Sequence, residues 1–362
     1  MKLANRAIFP EGAKVALLQH EGLLHHNGKT GKALIRFGDY NIVAVIDAST
    51  AGQSLRKLTR MDCDAPVVGT MKEALAFEPD ILVVGIAPSG GILPDPWLRE
   101  VEEAVAAGLS VVSGLHTELG QLPQFQNLPH PGQKIWDVRL EPQGLSVGTG
   151  AARLLSSLRV LTVGTDMAVG KMSTSIALHQ LAEARGMRSS FVASGQTGLM
   201  LTEHGVPLDA IRVDFASGSI QQAVVQAGQD ADIVFVEGQG SLCNPASTAT
   251  LPLMRGTQPT HQILVHRAGE THLSTFTHVK IPPLSSVVQL CEDTAEGGGA
   301  FAPAPVVGVA LNTWHLSEEE ALAAVEAGKE ETGLPCTDPI RFGAEPLLEA
   351  ILNTPPAPAL DA

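Results

Sequence analysis

The chain has 362 residues, with 24 Lys and Arg against 38 Asp and Glu for a formal charge of −14, and its rings are three Trp, one Tyr and ten Phe. At roughly 150 residues per domain, that length implies two domains. The negative field excludes nucleic acid and an acidic membrane as partners, and so few rings exclude a base-stacking surface.

Apolar residues make up 44% of the chain and charged residues only 17%. That composition builds large cores of small aliphatic side chains and leaves apolar surface for a homodimer or higher homo-oligomer. The N-terminal segment lacks the apolar stretch of a signal peptide, and no apolar run approaches the roughly 18 residues of a spanning helix. Cys63, Cys243, Cys291 and Cys336 are scattered without metal-ligand spacing. They read as reduced thiols of a cytoplasmic protein. Thr354–Ala359, rich in proline, is expected to fray.

In chain order, short apolar runs at Val15–Leu18, Asn41–Asp47, Asp80–Ala87 and Leu109–Ser113 alternate with helical patterns such as Met71–Phe77 and Trp97–Ala107. Apolar strands separated by crossover helices predict a parallel sheet covered on both faces, here a Rossmann-like domain over residues 1–148. The dinucleotide fingerprint is missing, because the segment after the first strand reads HEGLLHHNG. Asp47 stands where a ribose-binding acid would stand. Lys29 and Lys32 read as solvated helix charges or phosphate contacts, and the turn Pro88-Ser89-Gly90-Gly91 as a loop or an anion nest. Residues 121–150, rich in Gln, Pro and Gly, read as the connection to a second domain over 149–362. Its predicted strands are Arg159–Val163, Ser189–Ala193, Asp232–Glu237, Gln262–His266 and Val306–Leu311.

The strongest motif follows the first of these strands. Gly164-Thr165-Asp166-Met167-Ala168-Val169-Gly170-Lys171 leads into a helical run beginning Met172-Ser173-Thr174. A strand, a glycine-bounded loop, a lysine and a helix make a phosphate cradle, in which loop and helix N–H groups face the anion and Lys171 adds charge. Ser173 or Thr174 would bind a phosphate oxygen or help hold a metal. The loop is one residue longer than GxxxxGK[ST], and Met172 replaces the hydroxyl. Glu237 ends a buried strand beside Gly238-Gln239-Gly240-Ser241, where it would hold Mg²⁺, orient a water or take a proton from an amine. Ser194-Gly195-Gln196-Thr197-Gly198 follows the neighbouring strand and would line the same crevice.

GTDMAVGK and EGQG resemble segments of the dethiobiotin synthetase group of P-loop enzymes, although that group's substrate lysine is replaced here by Ser190. The wider set GTDMAVGKMSTS, SGQTG, VDFASGS, VEGQGSLCNPA and TDPIRFG, with a Rossmann-like half before it, resembles the DgcN-type family. That resemblance implies a D-glutamate N-acetyltransferase of D-amino-acid catabolism, with acetyl-CoA as co-substrate and a CoA pyrophosphate in the cradle of Lys171. Mg²⁺ is not expected, and no metal ligands are assigned. Glu237 is then the group that receives the amine proton, with His266 as the alternative base. Backbone N–H groups of 238–241 would stabilise the carbonyl oxygen. Gln196, Gln239 and Ser241 would line the substrate, and Arg267, or alternatively Arg255, would grip its carboxylates. Glu270 and His272 rank lower. An ATP-dependent ligase or kinase of the dethiobiotin synthetase type is the alternative reading.

Overall fold

The computed structural model describes residue 3, residues 5–88 and residues 91–358. Its chain forms two α/β units. One takes the chain up to Glu141 together with Leu199–Glu203, and the other takes Pro142–Gly198 and His204 onward. The division therefore falls a few residues before the boundary expected from composition.

The first unit has strands β1 (Lys14–Leu18), β2 (Asn41–Ile46), β3 (Val67–Val68), β4 (Ile81–Val84), β5 (Ser110–Ser113) and β6 (Ile135–Asp137). They lie in the order β3-β2-β1-β4-β5-β6, all parallel. This is the Rossmann order, with its topological switch between β1 and β4. Helix α1 (Lys29–Phe37) joins β1 to β2. Helices α2 (Leu55–Thr59) and α3 (Met71–Ala74) flank β3, and α4 (Asp95–Ala106) joins β4 to β5. Helix α4 starts with Asp95 in its first turn and a proline at its entry, and it buries Val101, Ala104 and Val105 at helical spacing. Strand β6 lies inside the Gln- and Pro-rich stretch read as a connection. Three residues paired with Val111–Ser113 are too few to show a period in sequence. The turn at Pro88–Gly91 lies partly outside the described residues, since Ser89 and Gly90 are not among them.

At the switch point the segment after β1 packs closely around one side chain. Gln19 is fully buried, and its Nε2 donates to Gly28 O at 2.7 Å. A Cβ on Gly31 or Gly85 would sit 2.2 or 2.3 Å from Gln19 Oε1. These glycines therefore pack an amide rather than a pyrophosphate. Asp47 is likewise committed: its carboxylate accepts from Glu21 N, Ser49 N and Oγ, and Thr50 Oγ1, closing its own turn. Lys32 Nζ donates to His25 O at 2.7 Å. Asn5 Nδ2 bonds Leu199 O and Thr202 O, fastening the returning segment 199–203 to this unit.

The second unit has strands β7 (Leu158–Gly164), β8 (Ser189–Val192), β9 (Ile233–Val236), β10 (His261–Arg267), β11 (Val306–Asn312) and β12 (Cys336–Thr337). They form a parallel sheet in the order β12-β11-β10-β7-β9-β8. Helices α5 (Lys171–Ala184) and α11 (Glu345–Asn353) cover one face. Helices α7 (Val213–Gly228), α8 (Thr250–Thr257), α9 (Leu284–Glu296) and α10 (Glu318–Thr332) cover the other, and α6 (Gln196–Leu199) is a single turn after β8. Alternation assigns the faces: Val160, Phe235 and Val265 pack with Leu178 and Leu347. Leu161, Val236 and Leu264 pack with Ile220 and Leu253. The weak patterning of β12 reflects its two residues at the sheet edge. Among the described residues no helix is long and apolar enough to cross a membrane.

The packing at Gly28 yields a stability test. A Cβ there would lie 2.1 Å from Gly22 O and 2.4 Å from Gln19 Nε2, so backbone has to move. Gly28→Ala should cost about 2 kcal/mol, read as a lower denaturation midpoint. Gly12→Ala, which meets no atom within 4 Å but has φ +78°, should lose only the smaller cost of its left-handed backbone.

Candidate active site

Strand β7 is central, so the loop leaving it is flanked by the ends of β9 and β10. Thr165 N donates to Val265 O, and Thr165 Oγ1 is 2.9 Å from His266 Nδ1. The loop then turns through Ala168 (φ 57°) and Gly170 (φ 118°) into α5. The first N–H groups of that helix have no intrahelical acceptor and face the loop. Lys171, the first residue of α5, is buried, and its Nζ donates to Asp166 O at 2.7 Å. Its stem runs between two glycines: a Cβ on Gly164 would lie 2.9 Å from Nζ, and one on Gly238 would lie 3.0 Å from Cδ. Gly238 itself donates to Thr162 Oγ1 at 2.9 Å, and any Cβ there would lie 1.7 Å from Thr162 O. Gly238 is thus required by close backbone approach.

Asp166 is fully buried. Its Oδ1 accepts from Met167 N and from Asn244 Nδ2, both at 2.7 Å, and its Oδ2 accepts from Ser274 N at 2.8 Å and Oγ at 2.9 Å. Burial alone would raise its pKa, but the bonds from Ser274, Asn244 and Met167 outweigh that and hold it below the usual carboxylate range. The side chain of Asp166 holds the loop in place, because its carboxylate oxygens are taken up by neighbouring loops. Asn312 Nδ2 adds a further tie to Val169 O at 3.1 Å. Ser173 stands half-buried in the first turn of α5, while Thr174 is buried and its N–H already bonds Gly170 O.

Glu237 is 9% exposed at the end of β9. Its Oε2 accepts from Ser194 N at 3.0 Å and Gly195 N at 3.4 Å, and a Cβ on Gly198 would lie 2.4 Å from the same oxygen. The SGQTG turn therefore wraps the carboxylate, with Gln196 and Thr197 buried beside it. Ser194 Oγ and Gln239 Oε1 are buried without a hydrogen-bond partner. Ser241 shapes its own loop: its Oγ accepts from Cys243 N and its N donates to Ser247 Oγ. The half-buried Cys243 thiol is raised by burial and by the Asp166 charge, against a lowering bond to Ser241.

The remaining candidates separate. His266 is buried beside the loop, and burial depresses its pKa to about 4, so the ring is neutral near pH 7. Arg267 follows on the same strand, but its Nη1 is 3.2 Å from Glu270 Oε1, and that carboxylate occupies part of its fork. His272 is exposed and bonded to Thr271. Arg255 is elsewhere. Helix α8 is a crossover from the carboxyl end of β9 to the amino end of β10, so its last turn lies at the far end of the sheet. There Arg255 Nη1 donates to Ala295 O, and the guanidinium covers the Phe301 ring at 4.3 Å. Sequence reasoning also missed Asn244, Ser274 and Asn312. Asn244 lies inside the VEGQGSLCNPA motif and carried a signal; Ser274 and Asn312 matter only through contacts made in the fold. Among the described residues, no group of three or more His, Cys, Asp and Glu stands ready to hold a metal.

Two buried rings set a pH dependence. Burial lowers both His266 and His179 to about 4 from an ordinary value of 6.5. The unfolded chain binds these protons first, so their contribution is full above about pH 6.5 and is lost as pH falls toward 4. The melting temperature should drop steadily between pH 6.5 and 5, and His179→Gln with His266→Gln should flatten that slope. An unchanged slope would show that other groups set it.

Comparison with known proteins agrees with this architecture. Residues 146–348 match the family model described as the DUF1611 C-terminal P-loop domain, and residues 48–141 match the DUF1611 N-terminal Rossmann-like domain. A protein of Tritonibacter scottomollicae named D-glutamate N-acetyltransferase is 36% identical over 284 residues, 78% of this chain and 84% of that one. A Pseudoalteromonas protein of the same name is 32% identical, covering 76% of this chain and 82% of its own. The crystal structure of a DUF1611 family protein from Anabaena variabilis superposes with a TM-score of 0.93 at 55% identity, over 95% of this chain and all of that one. With a phosphate-type loop on a Rossmann-paired chain and a family match spanning both units, the chain belongs to the DUF1611 family.

Proposed function

We propose that the chain is an N-acetyltransferase that moves the acetyl group of acetyl-CoA to the amine of D-glutamate, in the breakdown of D-amino acids. The observation that carries this reading is the juxtaposition of Lys171 with the Glu237–Gly238 strand end, in a chain whose curated relatives carry the name D-glutamate N-acetyltransferase. The residues fit a pyrophosphate: Lys171, the start of α5, which has no side-chain cap, and Gly170 in a conformation that lets backbone approach. The orphaned Ser194 Oγ and Gln239 Oε1 supply further polar contacts.

When bound, the thioester supplies an activated acetyl carbon. The chain has three tasks. Lys171 leaves Asp166 O and turns its ammonium to the phosphates. Glu237, held at a fixed angle by Ser194 N and Gly195 N, receives the proton of the substrate ammonium so that nitrogen has a free lone pair. Backbone N–H groups along 238–241 donate to the carbonyl oxygen as charge builds on it. His266 is neutral at working pH and is the second proton acceptor within reach of the loop. Arg267 offers its guanidinium to a substrate carboxylate in exchange for Glu270. Trp314 is 68% exposed, and its backbone N–H donates to Asn312 Oδ1, while Asn312 Nδ2 holds the loop at Val169 O. Its indole is a platform for the adenine of the coenzyme.

Thiol release with acetyl-CoA and D-glutamate tests the reading directly. Glu237→Gln should lower kcat by about 10²-fold or more while coenzyme still binds, and Lys171→Ala should raise the KM for acetyl-CoA. Binding of ATP-Mg²⁺ without binding of CoA would replace this function by the ligase or kinase alternative.

Trp314→Ala separates the platform from the cradle. A lost stacking contact of about 1–3 kcal/mol predicts roughly tenfold weaker use of acetyl-CoA. An acetyl-pantetheine thioester, which has no adenine, should be used equally well by both proteins.

A further inference from the structure

The second unit holds another cavity, of about 830 Å³, at the amino ends of β7 and β10. Leu158 and Arg159 line it from β7, and Thr260 lines it from the residue before β10. The cradle lies at the other end of the same seven-residue strand, six steps away, or about 20 Å at roughly 3.3 Å per residue. The two places are therefore distinct.

The lining chemistry is unusual for this chain. Among the described residues, three arginines, Arg153, Arg159 and Arg255, line the cavity with one acid, Asp214, which is exposed. The surplus is positive in a protein whose net charge is −14. Arg159 is only 6% exposed, and its hydrogens go to carbonyls: Nε to Gln258 O at 2.8 Å, and Nη1 to Leu155 O at 3.1 Å and Ser157 O at 2.8 Å. Arg255 donates to Ala295 O at 3.1 Å and lies on Phe301. Carbonyl oxygens satisfy these hydrogens but cancel no charge. Burial pushes Arg159 down to about 10 and lowers Arg255 as well, and among the described residues no carboxylate counters either shift. A buried cation without a counter-charge is costly, and that cost is recovered when an anion enters. The cavity is also the size of an ordinary small-molecule site, with Phe301, Met254 and prolines as apolar wall.

We propose that this cavity is a second ligand site, for a small organic dianion that offers carboxylate or phosphate oxygens to Arg153, Arg159 and Arg255 and rests its carbon body on the Phe301 side. The guanidinium fork accepts either kind of oxygen, so the shared chemistry is the anion. The site stands independently of the function assigned to the cradle.

The test uses the full chain carrying Lys171→Ala, which removes the cradle's own lysine. Glutarate, N-acetyl-D-glutamate, glycerol phosphate and inorganic phosphate are titrated by calorimetry, with melting temperature as a second readout. At least one organic dianion should bind and raise the melting temperature. Adding Arg255→Leu should weaken that binding about tenfold or more, as expected for losing a charged hydrogen-bond donor. Arg255→Lys, which keeps the charge and the packing stem, should weaken it less and guards against a variant that simply folds poorly. Dicarboxylates binding alone or glycerol phosphate binding alone each support the site and identify its ligand class. Binding of none of the organic anions, or binding unaffected by Arg255→Leu, overturns it.

Discussion

The buried carboxylate of Asp166 ties together three segments that are far apart in the chain. Its four hydrogen bonds come from Met167 in its own loop, from Asn244 in the loop after β9 and from Ser274 after β10. A carboxylate held by several donors in a low-dielectric setting is a strong, directional tie, and losing it would leave each donor unpaired. The cradle depends on that tie. The loop contains a non-glycine residue with positive φ, Ala168, that relaxed backbone would abandon. The tie keeps the loop in the shape from which Lys171 extends past Gly164 and Gly238. The segment that carries Glu237 is then fixed from both sides, by Thr162 below Gly238 and by the wrapped turn at 194–198 above the carboxylate.

The same dependence explains what could be read from sequence. The strand, loop and helix from Arg159 to Leu178 were legible because their residues are contiguous and each local preference agrees with the fold. Glu237 was legible as an acid at a buried strand end. The role of Asp166 was not, since its partners lie 78 and 108 residues further along the chain. Arg255 was misplaced for a related reason: composition marks it as a carboxylate fork, but only the course of the crossover helix decides which end of the sheet it reaches. The short strands β3, β6 and β12 were invisible because two or three residues carry no period. They pair only because a longer neighbour presents an open edge.

Glycine use tells the two units apart. In the first, the strand order is that of a dinucleotide fold, yet Gly28, Gly31 and Gly85 close around the Gln19 amide, and Asp47 satisfies its own turn. Topology alone therefore does not confer the ligand of that topology; the residues at the switch point do. In the second, Gly164 and Gly238 leave a channel for a lysine stem, and Gly170 opens the backbone toward an anion.

Charge completes the account. A chain with a net charge of −14 repels anions at long range. Any anion it binds must be held by short-range donors in places where water is displaced and each contact is worth more. One cation it buries is arranged for this. Arg159 gives its hydrogens to three carbonyls rather than to carboxylates that would neutralise it. Carbonyl partners hold a cation in place cheaply and release it readily, whereas a buried ion pair would have to be broken before a ligand could enter. Binding at such sites should consequently vary little with salt, because the attraction acts inside the screening length and the long-range field opposes it. That places selectivity in local geometry: the ligand must deliver its charge to the position the carbonyl oxygens now occupy.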